Sequence, residues 1–355
     1  MPIRPRRVVL ATARVDRLDG NLLHLHRAIT AARPDLEVVT LLEPYAYGLA
    51  GKLAYLARMC RAMVALRTAR WFIVDNAYLP IHVAPHRRGT TVVQVWHAVG
   101  ALKRFGVDTA IPLDEPEATF LHRYYDAVVV AADAWREPYA AALRTPFERV
   151  HAIGAPRTDL FIDEAALAAA RQRVLAEHPS LAGRRIVLYA PTFRGRGRRK
   201  RDPQALDGRR LRSLLPEGYL LILKGHPNLD PSGTSTDGFD LVIDHRAELN
   251  DLLAATDVLV TDYSSSVFEF ALLRRPIVLL VDDVAAYRTD PGFYLEPEAA
   301  GIGAIAHDSD EVARAILAAQ VDEVASEAFI DRYLTACDGR ASERFVTRFL
   351  GDRAP

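Results

Sequence analysis

The stretch Asp257–Arg275, DVLVTDYSSSVFEFALLRR, decides the fold. Its apolar run Val258–Val260 reads as a buried strand, passes through a polar turn, Thr261–Ser266, and enters a helical pattern that carries Glu269. A strand that runs through a tight turn straight into a helix is the repeating joint of parallel α/β layers. The first N–H groups of such a helix lack intrahelical partners and carry the positive end of its dipole. Ser264, Ser265 and Ser266 add small hydroxyls there, so the joint suits a phosphate, and Glu269 one turn on suits ribose hydroxyls. The plainer alternative is a capped helix, with Ser264 or Ser265 as the cap and Glu269 on an exposed face.

Working outward, the same joint recurs. Strand patterns fall at Val8–Ala13, Glu37–Leu42, Trp71–Asp75, Thr91–Trp96, Ala127–Ala131 and Val150–Ile153 in the first half of the chain. In the second half they fall at Arg185–Ala190, Tyr219–Lys224, Leu241–Asp244, Asp257–Thr261 and Pro276–Val281. Helical patterns fill the gaps: Asn21–Ala32, Leu49–Ala69, Ala134–Leu143, Glu164–Glu177, Glu248–Ala255, Ser266–Leu273 and Ser309–Ala319. Each half therefore reads as its own doubly wound α/β domain. That agrees with a length of 355 residues, beyond the roughly 250–300 at which a single core stops growing. The GAPRTD turn, Gly154–Asp159, is the expected linker, and a last helix near Ser342–Leu350 is expected to pack back on the first domain.

Composition excludes several classes. The formal net charge is zero, so bulk charge gives no argument for nucleic acid. Two cysteines, Cys60 and Cys337, exclude a disulfide framework and a cysteine zinc site, and point to a reducing compartment. The N-terminal MPIRPRRVVLATARVD reads as a first strand rather than a signal peptide, because its apolar run meets Arg14 and Asp16 at once. No apolar run reaches the ~18 residues that span a bilayer. Two features bear on surfaces. Arg194–Arg201, RGRGRRKR, holds six basic residues in eight and reads either as a clamp for anionic lipid or polyphosphate or as a solvated loop. In Leu49–Arg70, residues Leu49, Leu53, Leu56, Cys60 and Met63 share a face expected to meet the core, with interfacial membrane docking as the alternative.

Four polar clusters sit at strand ends, where open α/β sheets hold ligands. In Trp96–Gly106, WHAVGALKRFG, His97 is a candidate general base, with a hydrogen-bonded structural histidine as the alternative, and Lys103 and Arg104 supply positive charge. In Tyr189–Arg194, YAPTFR, Thr192 offers a hydroxyl and Arg194 a guanidinium fork. In Leu223–Asn228, LKGHPN, Lys224 and His226 flank a glycine, and the His suits a phosphoryl oxygen or a leaving group. The fourth is the opening joint with Asp262. Asp282–Asp283 is read as helix capping and turn formation rather than a metal site, for want of further ligands in local spacing. Asp19–Asn21 is read as a loop capping the first helix, with a place lining the cleft as the alternative. No GxSxG, P-loop or HExxH motif occurs. The two histidines and the phosphate-receiving turn point to group transfer from an activated nucleotide.

Taken in order, these clusters resemble the CDP-glycerol glycerophosphotransferase family of teichoic acid synthesis, teichoic acid primases and polymerases and related capsule polymerases. The resemblance rests on His97–Lys103, Tyr189–Arg194, Lys224–Pro227, Thr261–Glu269 with Arg275–Ile277, and DGRASER at Asp338–Arg344, and covers about residues 90–350. Ala98 stands where the family usually has Gly. The resemblance implies a GT-B architecture, two Rossmann-like domains facing a central cleft. On it the chain divides into an acceptor and membrane-side domain at 1–155, a CDP-donor domain at 156–340, and a C-terminal helix at 341–355. It implies a CDP-glycerol or CDP-ribitol donor, release of CMP, a lipid-linked or polymeric acceptor, no metal or other cofactor, and a cytoplasmic protein peripheral on the membrane. His97 would be the base on the acceptor hydroxyl, and His226 would stabilise or protonate the donor pyrophosphate. Thr261, Ser264 and Ser265 would hold phosphate and Glu269 the ribose. Thr192, Arg194, Lys224, Asp262 and Ser266 would complete the donor site, with Lys103, Arg340 and Arg344 as further phosphate partners. Two alternatives stay open: a glycosyltransferase of the same architecture using a CMP- or UDP-sugar, and a non-catalytic module binding nucleotide or membrane.

Overall fold

The computed structural model describes residues 1–44, 49–109, 119–192, 194, 206–225, 235–244 and 247–351; for 49–53 it describes the backbone only. The strands are β1 (Arg4–Thr12), β2 (Glu37–Leu42), β3 (Ala69–Val74), β4 (Thr91–Gln94), β5 (Ala127–Val130) and β6 (Val150–Ala152). They continue with β7 (Arg185–Tyr189), β8 (Tyr219–Lys224), β9 (Leu241–Ile243), β10 (Val258–Thr261), β11 (Ile277–Leu280) and β12 (Ala304–Ala306). The helices are α1 (Gly20–Ala32), α2 (Leu49–Thr68), α3 (Leu79–Val83), α4 (Arg136–Ala142), α5 (Asp159–Ile162), α6 (Glu164–Glu177) and α7 (Gly208–Leu214). They continue with α8 (Leu249–Ala255), α9 (Ser266–Ala271), α10 (Val284–Thr289), α11 (Ser309–Ala318), α12 (Glu323–Tyr333) and α13 (Ala341–Phe345).

The chain divides into two compact units. Unit 1 is Met1–Gly100, Arg104–Asp159 and Tyr333–Pro355; unit 2 is Ala101–Lys103 and Leu160–Arg332. The passage into unit 2 thus falls at the far end of the GAPRTD turn, and the return comes eight residues before the DGRASER helix starts at Ala341.

In unit 1 the sheet runs β2-β1-β3-β4-β5-β6, all parallel, with Val9 opposite Val39 on one side and Phe72 on the other. Both faces are covered, so the central strands read as continuous apolar runs rather than alternating ones. One core gathers Val8, Leu10, Ile73, Val93 and Val129 from the strands with Leu22, Leu25 and Ile29 of α1. Phe345, Val346 and Leu350 enter the same core, so the last helix does pack on unit 1. Asp159 fixes its start by accepting from the N–H groups of Ala341 and Ser342, both at 2.9 Å.

In unit 2 the sheet runs β12-β11-β10-β7-β8-β9, again all parallel. Its core gathers Val187, Leu221, Val258, Val260 and Val278 with Leu211 of α7 and Val312 and Ile316 of α11. Sequence patterning misses β12, α7 and α12, and the short helices α3, α5 and α10. The strand β12 is three residues long with only one β-branched residue, and α7 is mostly arginine and serine. Asp207 starts α7 by accepting from the Arg210 N–H at 3.0 Å.

Candidate functional site

In unit 2 the connections change direction between β7 and β10, the topological switch point at whose carboxyl ends doubly wound sheets bind ligands. The two strand ends are stitched together there. Thr261 Oγ1 donates to the Ala190 carbonyl at 2.6 Å. Asp262, one residue on, accepts from Thr192 twice: N–H to Oδ1 at 2.9 Å and Oγ1–H to Oδ2 at 3.0 Å. Arg194 donates to Asp262 Oδ2 at 2.6 Å and forks onto Asp283, Nε to Oδ2 at 2.5 Å and Nη2 to Oδ1 at 3.1 Å. Its guanidinium also lies 5.2 Å from the Tyr263 ring centroid and 4.8 Å from that of Tyr287, within cation–π range. Tyr263 donates its hydroxyl to Asp283 Oδ1 at 3.0 Å. Burial alone would lower the Arg194 pKa, but Asp262 and Asp283 hold it above its usual value. The Arg194 fork therefore faces two carboxylates. Asp283 braces Arg194 and makes no side-chain cap on α10, which corrects the expectation of capping.

Lys103 joins this network. Its backbone forms an antiparallel bridge with Phe293, and the neighbouring Leu102 carbonyl accepts from the N–H groups of Tyr294 at 2.8 Å and Leu295 at 3.1 Å. Lys103 Nζ lies 5.7 Å from the Tyr287 ring centroid. Burial pushes its ammonium pKa down, Asp262 opposes that, and Arg194 adds to it.

At the start of α9, Ser264 Oγ accepts from the Ser266 N–H at 3.2 Å and the Ser266 hydroxyl at 2.9 Å. Ser265 occupies the cap position without a side-chain cap bond, so the capping is done by Ser264 from one residue further back. Glu269 is 1 % exposed and turned inward, against the exposed face of the plainer reading. Lys224 is buried at the end of β8. His226, with Pro227 and Asn228, lies outside the described residues, as do Phe193 and Gly195–Arg201 of the basic loop.

In unit 1 the switch point falls between β1 and β3. His97 stands just past β4 on a tight turn in which Trp96 has φ 48°, a left-handed conformation uncommon for a bulky residue. Asn21 secures that turn by donating to the carbonyls of Val95 at 3.1 Å and Trp96 at 2.9 Å. It also accepts from the Arg157 N–H at 3.0 Å, while Arg157 Nη1 donates to the His97 carbonyl at 3.0 Å. Asn21 thus laces the histidine turn, and Asp19 at the α1 cap position makes no cap bond. The imidazole is half-buried, with its ring centroid 4.5 Å from that of Trp96, which also meets Phe105 at 4.9 Å. His97 Nδ1 lies 3.2 Å from the Asp75 carbonyl. A carbonyl only accepts, so Nδ1 carries a proton, and in the neutral form of the ring the lone pair is then on Nε2.

Two arginines of the C-terminal motif have protein partners. Arg340 is exposed and pairs with Glu343 at 2.8 Å. Arg344 donates to Ile153 O at 2.9 Å, to Asp338 at 2.8 Å and to the Ala336 carbonyl, tying the last helix to the end of β6. Sequence reasoning overlooks Asp75, Arg157, Tyr263 and Tyr287. Asp75 had a usable signal, a carboxylate directly after the apolar WFIV of β3. The helix α2 is turned otherwise than expected: Met59, Ala62 and Leu66 are buried, while Leu56 is 61 % and Val64 47 % exposed and Cys60 lies outward.

Two all-parallel α/β sheets, each with polar groups gathered at its switch point, place the chain in the GT-B fold class. The wall teichoic acid polymerase TagF, as its H548A variant, has this fold, with a TM-score of 0.76 at 19 % identity over 98 % of this chain and 89 % of that one. A UDP-N-acetylglucosamine 2-epimerase from Listeria monocytogenes is a more distant neighbour, with a TM-score of 0.59 at 13 % identity over 99 % of each chain. The model of the CDP-glycerol:poly(glycerophosphate) glycerophosphotransferase family matches residues 1–351. The teichoic acid ribitol-phosphate primase of Bacillus spizizenii is 32 % identical over 99 % of this chain and 93 % of its own. The poly(ribitol-phosphate) polymerase of the same organism is 34 % identical over 80 % of this chain but only 47 % of its own. The chain belongs to the CDP-glycerol:poly(glycerophosphate) glycerophosphotransferase family, and it is a polyol-phosphate transferase of the CDP-alcohol type.

Proposed function

We propose that this protein transfers ribitol phosphate from CDP-ribitol to a hydroxyl of a lipid-linked teichoic acid acceptor and releases CMP. The similarity to a ribitol-phosphate primase along nearly the whole of both chains supports that donor over glycerol phosphate. The observation that carries the chemistry is the His97 tautomer, fixed by the Asp75 carbonyl so that Nε2 is the basic nitrogen. Nε2 takes the acceptor hydroxyl proton, the oxygen attacks the polyol-side phosphorus, and the bond from that phosphorus to the CMP oxygen breaks. Positioning and charge stabilisation dominate such a transfer. In this reading the serine turn and Lys224 hold the donor phosphates, Glu269 the ribose, and His226 the phosphate of the departing CMP, while the Thr261 hydroxyl, committed to the Ala190 carbonyl, keeps the strand ends in place. Thr192, Asp262 and Arg194 hold the strand ends in register beneath them, and Lys103 adds positive charge.

The outward stripe of Leu56, Cys60 and Val64, flanked by Arg61 and Arg67, fits an interfacial helix that docks the protein on the cytoplasmic membrane face. Among the described residues no helix is long and apolar enough to cross a membrane. A donor panel tests the function: CDP-ribitol, CDP-glycerol, CMP-sugars and UDP-sugars with a lipid-linked disaccharide acceptor. CMP release fastest with CDP-ribitol is expected. Turnover of the nucleotide sugars alone would overturn the reading.

A further inference from the structure

The switch point of unit 1 carries charged groups that the reaction as described leaves unused. Thr12 ends β1, and Asp75 follows β3 across the switch. Arg14 and Asp19 come from the connection between β1 and α1, and Arg157 completes the set. Asp75 is 1 % exposed, and its Oδ1 has no hydrogen-bond partner among the described residues; the same holds of Arg14 Nε. Arg14 Nη2 lies 3.4 Å from Asp19 Oδ2 and 3.8 Å from Asp75 Oδ2. The second distance is too long for a hydrogen bond. A hydroxyl entering beside the pair would accept from the guanidinium and donate to the carboxylate, meeting both sides at once.

The charges choose the ligand. A phosphate entering here would meet the carboxylates of Asp19 and Asp75, and a cation would meet Arg14 and Arg157. Paired donors and acceptors of balanced charge suit neutral hydroxyls, above all a chain of adjacent ones. His97 ties the place to chemistry, because its Nδ1 rests on the carbonyl of Asp75 itself. Burial pushes the Asp75 carboxyl pKa up and Arg14 pulls it back, so each further hydroxyl it accepts from favours its charged form.

We propose that the β1/β3 switch point binds the terminal polyol of the acceptor through its hydroxyls, with Asp75 and Arg14 bridged by one hydroxyl and Asp19 placed for the next. This rests on the transferase reading above for the identity of the acceptor. It makes Asp75, Arg14 and Asp19 acceptor-binding residues that orient the attacking end of the chain beside the base.

The test is calorimetric titration of the full chain, without donor, with a soluble disaccharide ending in ribitol phosphate, and with the same compound bearing a deoxygenated polyol. Asp75→Asn is nearly isosteric, and Arg14→Gln alters a side chain that is partly exposed; tryptophan fluorescence checks that both fold. Tenfold or greater weakening is expected for Asp75→Asn and several-fold for Arg14→Gln. The deoxygenated compound should bind wild type weakly and lose little more in Asp75→Asn. In turnover the acceptor KM should rise while the CDP-alcohol KM stays put, a split that a merely structural role would not give. Equal binding by wild type and both variants would overturn the proposal. So would equal affinity for the two compounds, which would assign the bridge to a water, and so would the absence of any binding to wild type. Intact analogue binding with no CMP release from any CDP-alcohol would instead count against the transferase reading and leave the polyol site standing.

Discussion

The two switch points are built alike and completed differently. In unit 2 both oxygens of Asp262 and both of Asp283 are engaged by Thr192, Arg194 and Tyr263, so their hydrogen-bonding capacity is taken up within the protein. In unit 1 Arg14 stands off from Asp75, and a buried carboxylate oxygen and a buried guanidinium N–H have no partner among the described residues. A closed network sets a shape, here the relation of the Tyr189–Thr192 end to the serine turn. An open one leaves hydrogen-bonding capacity for a ligand. The contrast sets a closed switch point in unit 2 beside an open one in unit 1, which is what the proposed donor and acceptor roles call for.

The strongest challenge to this comparison is Arg194→Ala. It strands the buried carboxylate of Asp262 and takes the partner from the partly exposed Asp283, and loss of one partner from a buried ion pair costs about 3–5 kcal/mol. Chemical denaturation followed by far-UV circular dichroism should register that loss, and a change below about 1 kcal/mol would mean the network is not closed.

Acid comes next, and it acts on unit 1. His82 and His122 are buried there and packed on one another at 5.6 Å, with burial pulling their pKa values to about 4 and about 3 from 6.5. The folded state holds both neutral while the unfolded chain protonates them below about pH 6.5. The unfolded state thus binds more protons in this window, so stability is complete above pH 6.5 and falls as pH drops towards 4. The loss is of order 3 kcal/mol per histidine. All three tryptophans, Trp71, Trp96 and Trp135, lie in unit 1, so their fluorescence follows this unit alone. A urea midpoint by fluorescence that stays flat from pH 7.5 to pH 4.5 would contradict it.

Smaller effects sharpen the contrast. Thr192→Val removes one hydroxyl from Asp262 while the Thr192 N–H and Arg194 bonds remain, so about 1 kcal/mol of stability should go. Arg14→Gln in unit 1 should cost less than about 1 kcal/mol, because this partly exposed arginine makes only long ion pairs. A larger stability loss for Arg14→Gln than for Thr192→Val would reverse the assignment of open and closed sites.

Much of this was legible in the chain. Strands buried on both faces appear as unbroken Val, Ile and Leu runs, and most expected strand bounds agree with the observed ones to within two residues. The joint at Thr261–Ser266 announced itself by chemistry that a plain turn does not need. What sequence could not show was pairing at a distance: Thr192 and Asp262 were both singled out, but nothing local says that they bond across seventy positions of chain. Asp283 looked like a helix cap because its neighbour in sequence is a helix, and its true partner, Arg194, comes from another strand end. The orientation of α2 was hidden for a different reason. Apolar residues lie on both of its sides, Met59, Ala62 and Leu66 inward and Leu56, Cys60 and Val64 outward, so helical periodicity does not choose a face.

The central claim is that His97 is the base of a polyol-phosphate transfer. The most direct measurement is acceptor-dependent CMP release from CDP-ribitol by wild type and His97→Ala, alongside binding of CDP-ribitol to each. The account predicts a rate at least about 100-fold lower in His97→Ala, the usual scale for losing a general base, with donor binding retained. Full activity of His97→Ala would contradict it.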